Sequence, residues 1–398
     1  MNEKTNPDRC RLCGHEPLVE MLDLGQQPLA NKYPTEDQIE GEEFFPLRVL
    51  FCTSCKNVQL GTMISRERMF KDYYYLSSVN TALVRHFEQL AGKLVGAQFV
   101  VDVGSNDGIL LRPLQALGVK AIGIEPSVNV SKIANDNGLP TICAFFDDET
   151  VAQVVRAHGR ADVIVASSVF THLDDPHQFI EAAKKLLTPS GRLIIEVEYI
   201  GNIIRLVQFE RFYLDRIFYY SLSSLQRLFA RHGMSVTDVE HIEPHGGSLR
   251  VTVQGQGLPA AASVDAVLKE EAAILTRDSL DKFRASVDTQ IKAFRSVLED
   301  YRESKLRVAG YGSPARLSTI CNYGKIGPSL ISFTVDDSPL KQNRFTPGTH
   351  IPIVPKEHLD RHGADVLVVF AYEYFDDIRR KTEGKYRYLL PIPPREVK

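Results

Sequence analysis

Between about Gln98 and Gln254, short apolar runs alternate with amphipathic stretches. Gln98–Val103, Ala121–Glu125, Ala161–Ser167 and Arg192–Val197 have the length and continuous apolar character of buried strands. Ile109–Leu117, Val128–Asn137 and Pro176–Leu187 lie between them and read as helices. This alternation predicts an α/β fold, a parallel sheet with helices on both faces.

The pattern changes on either side. Residues 1–66 are turn-rich and interrupted by prolines, as in a small separate module, and residues 67–90 are aromatic and mostly helical. Residues 259–303 show no strand alternation. They are rich in Ala, Leu, Glu and Lys, with apolar residues at helical spacing such as Val264, Val267 and Leu268, so one or two helices are expected. A second α/β unit opens with the strand Arg307–Gly310 and a glycine loop. It continues through Leu330–Val335 and ends with the apolar run Asp365–Phe370. The expected division is 1–66, 67–258 and 259–398.

Composition adds bounds. A chain of 398 residues exceeds one ordinary core. A hydrophobic content of 43% with 24% charged residues is that of a soluble globular protein. The net charge of −3 supplies no basic field, so nucleic acid is not an expected partner. No apolar run approaches the roughly 18–20 residues of a membrane helix, and Met1–Arg9 lacks the apolar core of a signal peptide. The expectation is a cytoplasmic protein without a membrane partner, a monomer or small homo-oligomer acting on a small molecule.

Four of the six cysteines form two tight pairs, Cys10/Cys13 and Cys52/Cys55. Two C-x-x-C units can place four thiolates at tetrahedral corners, the geometry Zn²⁺ prefers. All four positions are then filled by protein, which makes the zinc structural. The sheet-like run Leu47–Phe51 before the second pair suits a zinc knuckle.

The string Phe99-Val-Val-Asp-Val-Gly-Ser-Asn-Asp-Gly-Ile-Leu110 reads as strand, turn and helix. Gly104 permits a sharp turn, and Gly108 lets the helix pack against the strand. Glu125 ends the next strand, where its carboxylate can accept the two ribose hydroxyls of an adenosine. The middle position of the loop is Asn106, where a dinucleotide site needs glycine for close approach of a pyrophosphate. S-adenosylmethionine (SAM) has no pyrophosphate, and its zwitterionic end suits Asp102 and Asn106. The expected cofactor site is Tyr75, Asp102, Gly104, Ser105, Asn106, Gly108, Glu125, Phe146, Asp147 and Ser168, with Phe146-Asp147 closing the next strand after Glu125, near the adenine. A second loop, Gly310-Tyr-Gly312-Ser-Pro-Ala315, is followed by Asp336 and Asp337. It is open to an NAD, to a nucleotide diphosphate of the substrate, or to a purely structural role.

Several strings together resemble the sugar C-methyltransferases that build branched deoxysugars on nucleotide diphosphate carriers. They are the four cysteines, Leu22-Asp-Leu-Gly-Gln-Gln-Pro-Leu-Ala-Asn31, Tyr73-Tyr-Tyr-Leu-Ser-Ser78, the loop at Gly104 and Ser168-Val-Phe-Thr-His172. His245-Gly-Gly-Ser-Leu-Arg250, Gly310-Tyr-Gly312 and the stretch from Asp337 to Ile353 complete the set. The resemblance implies a small N-terminal zinc module, a class I (Rossmann-like) methyltransferase sheet and a second, C-terminal Rossmann-like α/β domain. It also implies a nucleotide-sugar acceptor in the cleft between the last two, methylated at the carbon beside a ketone, in antibiotic biosynthesis.

The chain departs from that pattern where the chemistry is expected. The family carries Tyr-His-Glu-His where this chain has Tyr213-Leu-Asp-Arg216. An arginine cannot serve as a base. Ser168 replaces an asparagine, and Tyr372-Glu373 replaces Trp-Asn. The remaining catalytic candidates are His172 as a replacement base, Tyr213 as acid or hydrogen-bond donor, Asp215 and Arg216 as an ion pair or substrate contact, and His245. Lys341 and Arg344 are candidates for neutralising phosphate. A hydroxyl or amine acceptor, a SAM-binding fold without methyl transfer and an NAD-linked oxidoreductase stay open as alternatives.

Overall fold

The computed structural model describes residues 8–65 and 76–397. Tyr73, Tyr74 and Tyr75, with the cofactor contact expected of Tyr75, lie outside the described residues. The strands in chain order are β1 (Val19–Pro28), β2 (Phe44–Phe51), β3 (Val58–Leu60), β4 (Val100–Val103), β5 (Ala121–Ile124) and β6 (Thr141–Ile142). β7 (Ala161–Ser167), β8 (Leu187–Glu198), β9 (Phe218–Tyr219), β10 (Met234–Ile242) and β11 (Ser248–Gly255) follow. The last seven are β12 (Val308–Tyr311), β13 (Thr334–Val335), β14 (Arg344–Phe345), β15 (Pro352–Val354), β16 (Val366–Val369), β17 (Arg387–Pro391) and β18 (Pro394–Val397).

They form three sheets. The N-terminal sheet has the order β1-β2-β3-β9 and is antiparallel throughout. The central sheet has the order β10-β11-β8-β7-β4-β5-β6. Its five strands from β8 to β6 are parallel, and β11 runs antiparallel between β8 and β10. Val100, Val163, Val165 and Ile194 bury one face of this sheet against the helices Thr81–Lys93 and Leu111–Ala116. Val101, Val103, Ile164 and Ile195 bury the other, partly against Pro176–Leu186. Side chains that alternate between two covered faces explain the continuous apolar runs. The third sheet has the order β14-β15-β13-β12-β16-β17-β18, parallel except at its two edge strands.

In both α/β sheets the chain leaves the glycine-loop strand for neighbours on opposite sides, β5 and β7 about β4, β13 and β16 about β12. Such switch points are where crevices form at the carboxyl ends of strands. The two expected connector helices are Ala262–Ile274 and Arg277–Glu303. The second is capped by Thr276, and Leu280, Phe283, Val287, Ile291, Phe294, Leu298 and Tyr301 make one buried stripe along it. That stripe shares a core with Met21 and Leu22 of β1, Ile203 of the central unit and Val308, Leu317 and Ile320 of the C-terminal unit. No helix among the described residues is long and apolar enough to cross a membrane.

The structure corrects several sequence expectations. Leu330–Val335 is strand only at Thr334–Val335, because Gly327-Pro328 starts a turn that runs to Leu330. The apolar spacing of Phe209, Phe212 and Tyr213 reads as one helix face, but the three do not share one. Phe209–Arg211 is a single 3₁₀ turn, after which Phe212 enters the core and Tyr213 faces a cavity. β6 ends at Ile142, so Phe146 and Asp147 do not close a strand.

Candidate functional site

A cavity of about 920 Å³ lies at the carboxyl ends of β4, β5, β7 and β8 and reaches the second glycine loop. At the cofactor end, Gly104 has φ +69°, and a Cβ there would stand 2.2 Å from the Val169 side chain. Asp102, Gly104, Asn106, Glu125, Phe146 and Ser168 all line the cavity. Glu125 accepts hydrogen bonds from the backbone N–H of Asn106 (3.1 Å) and of Ser127 (2.8 Å), which fixes its carboxylate toward the cavity. Two of its four lone-pair sites remain for a ligand diol. Asn106 turns its amide oxygen to the Ser77 N–H at 2.9 Å. Burial, with Glu125 and Glu196 nearby, raises the Asp102 carboxyl well above the usual carboxylate range. A positively charged ligand offsets that cost. Buried acids facing a cavity, with an adenosine-type carboxylate on the next strand, fit the amino and sulfonium charges of SAM.

Three expected cofactor contacts do different work. Ser105 is buried over Gly123 of β5, so that a Cβ on Gly123 would meet its hydroxyl oxygen at 2.3 Å. Gly108 makes room for Leu139, 2.4 Å from a Cβ placed there, and not for the strand. Asp147 caps the helix Asp148–His158 by accepting from the Thr150 N–H at 2.9 Å.

The acceptor end collects side chains from all three units, with Asn31 from the first, His172 and His245 from the central one and Arg316 and Lys341 from the last. The His172 Nδ1 meets the backbone carbonyl of Asp215. A carbonyl only accepts, so Nδ1 carries the proton and Nε2 is the basic nitrogen. Burial, reinforced by the Arg216 charge, lowers His172 to about 4. His245 is lowered to about 4 as well, first by burial. It sits in a left-handed turn at φ 56°, followed by two positive-φ glycines. A Cβ on Gly246 would stand 2.2 Å from the Arg211 guanidinium, so the loop needs glycine there. Burial pushes the Tyr213 phenol up, which leaves it a neutral donor.

Asp215 and Arg216 do not pair with each other, and neither is on the surface. The Asp215 carboxylate accepts from the Asn31 side-chain amide at 2.7 Å. Burial raises its carboxyl above the usual range. Arg216 pairs with Glu198 through Nη1 and lies 4.7 Å from the centre of the Tyr213 ring. Leu214 is turned into the core that holds Phe212 and Tyr219.

Sequence reasoning missed the ion-pair chain behind this wall. Arg211 bridges Glu198 (3.5 Å) and Glu373 (2.7 Å), and Glu373 also holds Arg316 (2.7 Å). Glu196 accepts from His86 (2.9 Å), Ser167 (2.6 Å) and Arg250 (2.7 Å). Burial alone raises Glu196, but these partners outweigh it and bring the carboxyl to about 2. The signal was present: Glu196 and Glu198 are acids in the apolar run that ends β8, on one face of it.

At the second loop, Lys341 lines the cavity but donates to the Ser313 carbonyl (3.0 Å) and pairs with Asp336 (3.5 Å). Arg344 donates to the Tyr33 carbonyl at 3.0 Å, so it stitches the N-terminal unit rather than facing a phosphate. Asp336 accepts from the N–H groups of Ser313 (2.7 Å) and Ser338 (2.9 Å). Glu125 is held by its own loop in the same way, but Asp336 has in addition the Lys341 ammonium as a partner.

Cys10, Cys13, Cys52 and Cys55 converge with all four Sγ atoms within 4.8 Å of one another. Cys10–Cys55 and Cys13–Cys52 are each 3.6 Å apart. A tetrahedral ion with Zn–S bonds of about 2.3 Å needs sulfur–sulfur edges of about 3.8 Å. The four thiols therefore fit structural zinc.

Replacing Glu125 by Ala is expected to weaken SAM binding about 10- to 100-fold, the range for hydrogen bonds to a charged group. Titration calorimetry reads this directly, and an unchanged affinity would remove Glu125 from the cofactor site.

Comparison with known proteins covers nearly the whole chain. Residues 10–70 match a family model described as "Putative zinc binding domain". Residues 67–239 match a methyltransferase domain, and residues 243–393 match a C-methyltransferase C-terminal domain. C-methyltransferase NovU of Streptomyces niveus is 31% identical over 98% of this chain and 96% of its own length. A ubiquinone biosynthesis O-methyltransferase of Methylobacterium sp. (strain 4-46) is 30% identical over 29% of this chain and 48% of its own. The solved magnesium protoporphyrin IX methyltransferase of Synechocystis PCC 6803 with bound SAM is 15% identical. That match covers 43% of this chain and 79% of that one, with a TM-score of 0.33.

Proposed function

The chain belongs to the C-methyltransferase family and is a SAM-dependent methyltransferase; from that premise we propose that it methylates the carbon beside a ketone in a nucleotide-linked sugar of secondary metabolism. When bound, SAM supplies a methyl group on an already activated sulfonium. What remains for the protein is to orient the acceptor, exclude water and move one proton.

The observation that carries this reading is the fixed tautomer of His172. Its Nδ1–H is committed to the Asp215 carbonyl, so Nε2 is the nitrogen that takes a proton in the cavity. Asn31 braces Asp215 from the N-terminal unit, which holds the carbonyl in place. Tyr213 is a neutral donor on the same wall. Arg211, Arg316 and Lys341 border the acceptor side, beside the start of the helix Ala315–Gly324. That arrangement suits the oxyanions of a diphosphate carrier.

The test is solvent exchange. A nucleoside-diphosphate keto sugar incubated with the protein in D₂O without SAM is expected to take up deuterium at the carbon beside the ketone. With SAM it is expected to gain a methyl group there and release S-adenosylhomocysteine. A protein that binds SAM but leaves the protium in place would sink the carbon-acid chemistry.

A further inference from the structure

Resting on the carbon-acid reading and deepening it, we propose that Arg216 is the group that binds the enolate oxygen of the acceptor, and that Glu198 is its positioning residue. Arg216 is only 7% exposed, and what it exposes borders the cavity. One edge of its guanidinium is pinned by Glu198, and its face lies against Tyr213. Among the described residues, its side chain makes no other hydrogen bond or ion pair. The nearby cations differ in this respect. Arg211 is shared between Glu198 and Glu373, and Arg250 is held by Glu196 and Glu240. Arg211 keeps an unpartnered Nε, but both of its terminal nitrogens are engaged, whereas Arg216 is held through one terminal nitrogen only.

The chemistry of the site needs such a group. When the acceptor C–H bond breaks, its proton goes to His172 Nε2. Its electron pair forms the new C=C bond, and the carbonyl π pair moves onto oxygen. Negative charge therefore develops on that oxygen beside buried side chains, where fixed donors act more strongly than in bulk water. His172 and His245 are neutral, and Tyr213 offers one hydroxyl. A guanidinium stays charged at any working pH and presents several N–H groups in a plane. Arg216 thus takes the electrophilic role while His172 takes the proton.

Glu198 sets the geometry. It ends β8 two residues after Glu196, so both carboxylates project from the same strand face. Each pins a guanidinium: Glu196 holds Arg250, and Glu198 holds Arg216 and Arg211. Without that anchor, a long side chain among aromatic neighbours has no fixed direction.

The experiment compares wild type, Arg216→Met, Arg216→Lys and Glu198→Gln, using a nucleoside-diphosphate keto sugar as probe. Deuterium uptake without SAM and methylation with SAM are both followed. Arg216→Met is expected to lose about 10²- to 10³-fold in each rate, the scale for removing one oxyanion donor. KM for the sugar should change less than about threefold. Arg216→Lys keeps the charge without the fork and should retain more activity than Met. Glu198→Gln should lower kcat about tenfold with KM nearly unchanged, whereas a purely structural loss would move both. SAM affinity within threefold of wild type shows that each variant is folded. Nitrogen-15 NMR gives a substrate-free check, since His172 should titrate closer to 6.5 once the Arg216 charge is gone. An Arg216→Met protein that exchanges deuterium as fast as wild type overturns the assignment, and so does an unmoved His172 titration. A wild-type protein that binds SAM but exchanges no protium overturns the carbon-acid reading and this assignment together.

Discussion

Replacing Cys10 and Cys13 together by serine is expected to remove the single zinc ion per chain and to lower the thermal midpoint by at least about 10 °C. The apparent free energy of a structural zinc site in small peptides is about 10–16 kcal/mol, comparable to the whole stability of an ordinary domain. Here the knuckle is not free-standing. Arg231 donates to the Leu12 carbonyl (2.9 Å), Arg227 to the Ser54 carbonyl (3.0 Å) and Ser221 to the Lys56 carbonyl (3.0 Å). His177 Nε2 reaches the Arg11 carbonyl at 3.2 Å. These acceptors are backbone atoms of the two cysteine turns, so they keep their places only while the turns are closed. Farther along the same unit, Asn31 braces Asp215, Tyr33 donates to the Ser313 carbonyl (2.6 Å) and Glu42 meets His350 (2.7 Å). Losing the metal therefore reaches the acceptor wall as well as the N-terminal sheet. Metal analysis and scanning calorimetry check this, with Cys143→Ser as the control, since Cys143 is exposed and remote from the cluster. A double variant that keeps its midpoint would mean that packing alone holds the unit.

The features legible in the sequence were the local ones. Cys10/Cys13 and Cys52/Cys55 announce themselves by spacing, because a C-x-x-C turn is set within four residues. The loop from Asp102 to Gly108 is also local, and its role follows from strand, turn and helix in succession. Even there, the direction of each side chain was not legible. Ser105 turns toward Gly123 and Asp147 toward Thr150 because of neighbours on other elements. The helix Asp148–His158 was missed because it is largely polar, with one narrow buried side at Val151 and Val154. The β10–β11 hairpin was missed because His245-Gly-Gly247 reads as a loop and hides the antiparallel pairing on either side. The chain Arg316–Glu373–Arg211–Glu198–Arg216 joins a helix, two 3₁₀ turns, the end of β8 and an irregular segment, so no spacing rule brings those residues together. Nor does the pattern tell that Tyr213 enters the cavity while Leu214 enters the core, since one step along irregular backbone decides it.

Replacing His172 by Asn is expected to lower methylation and deuterium uptake by on the order of 10³-fold, within the range for losing a general base. The Asn amide can still donate to the Asp215 carbonyl, so the wall keeps its shape while the basic nitrogen is gone. SAM affinity should stay within about threefold of wild type. The pH dependence is the sharper signature. His172 is held at about 4 in the free protein, first by burial and then by Arg216. The acid limb of kcat/KM should therefore fall near pH 4 rather than near the ordinary histidine value of about 6.5. Stability follows the same groups with a definite sign. Between about 6.5 and 4 the unfolded chain binds protons that buried His172 and His245 refuse. Stability is fully present above that window and declines as pH falls through it, by at most about 3 kcal/mol for each ring. Acid therefore destabilises the wild-type protein in a range that reaches the pH at which activity falls. His172→Asn separates the two effects, because it removes one proton-binding ring from the stability curve and the base from the rate. The variant should lose less stability than wild type between pH 6.5 and 4, despite its far lower activity. An acid limb near 6.5 in the wild type, or a His172→Asn variant with more than a tenth of wild-type exchange, would move the proton transfer to another group.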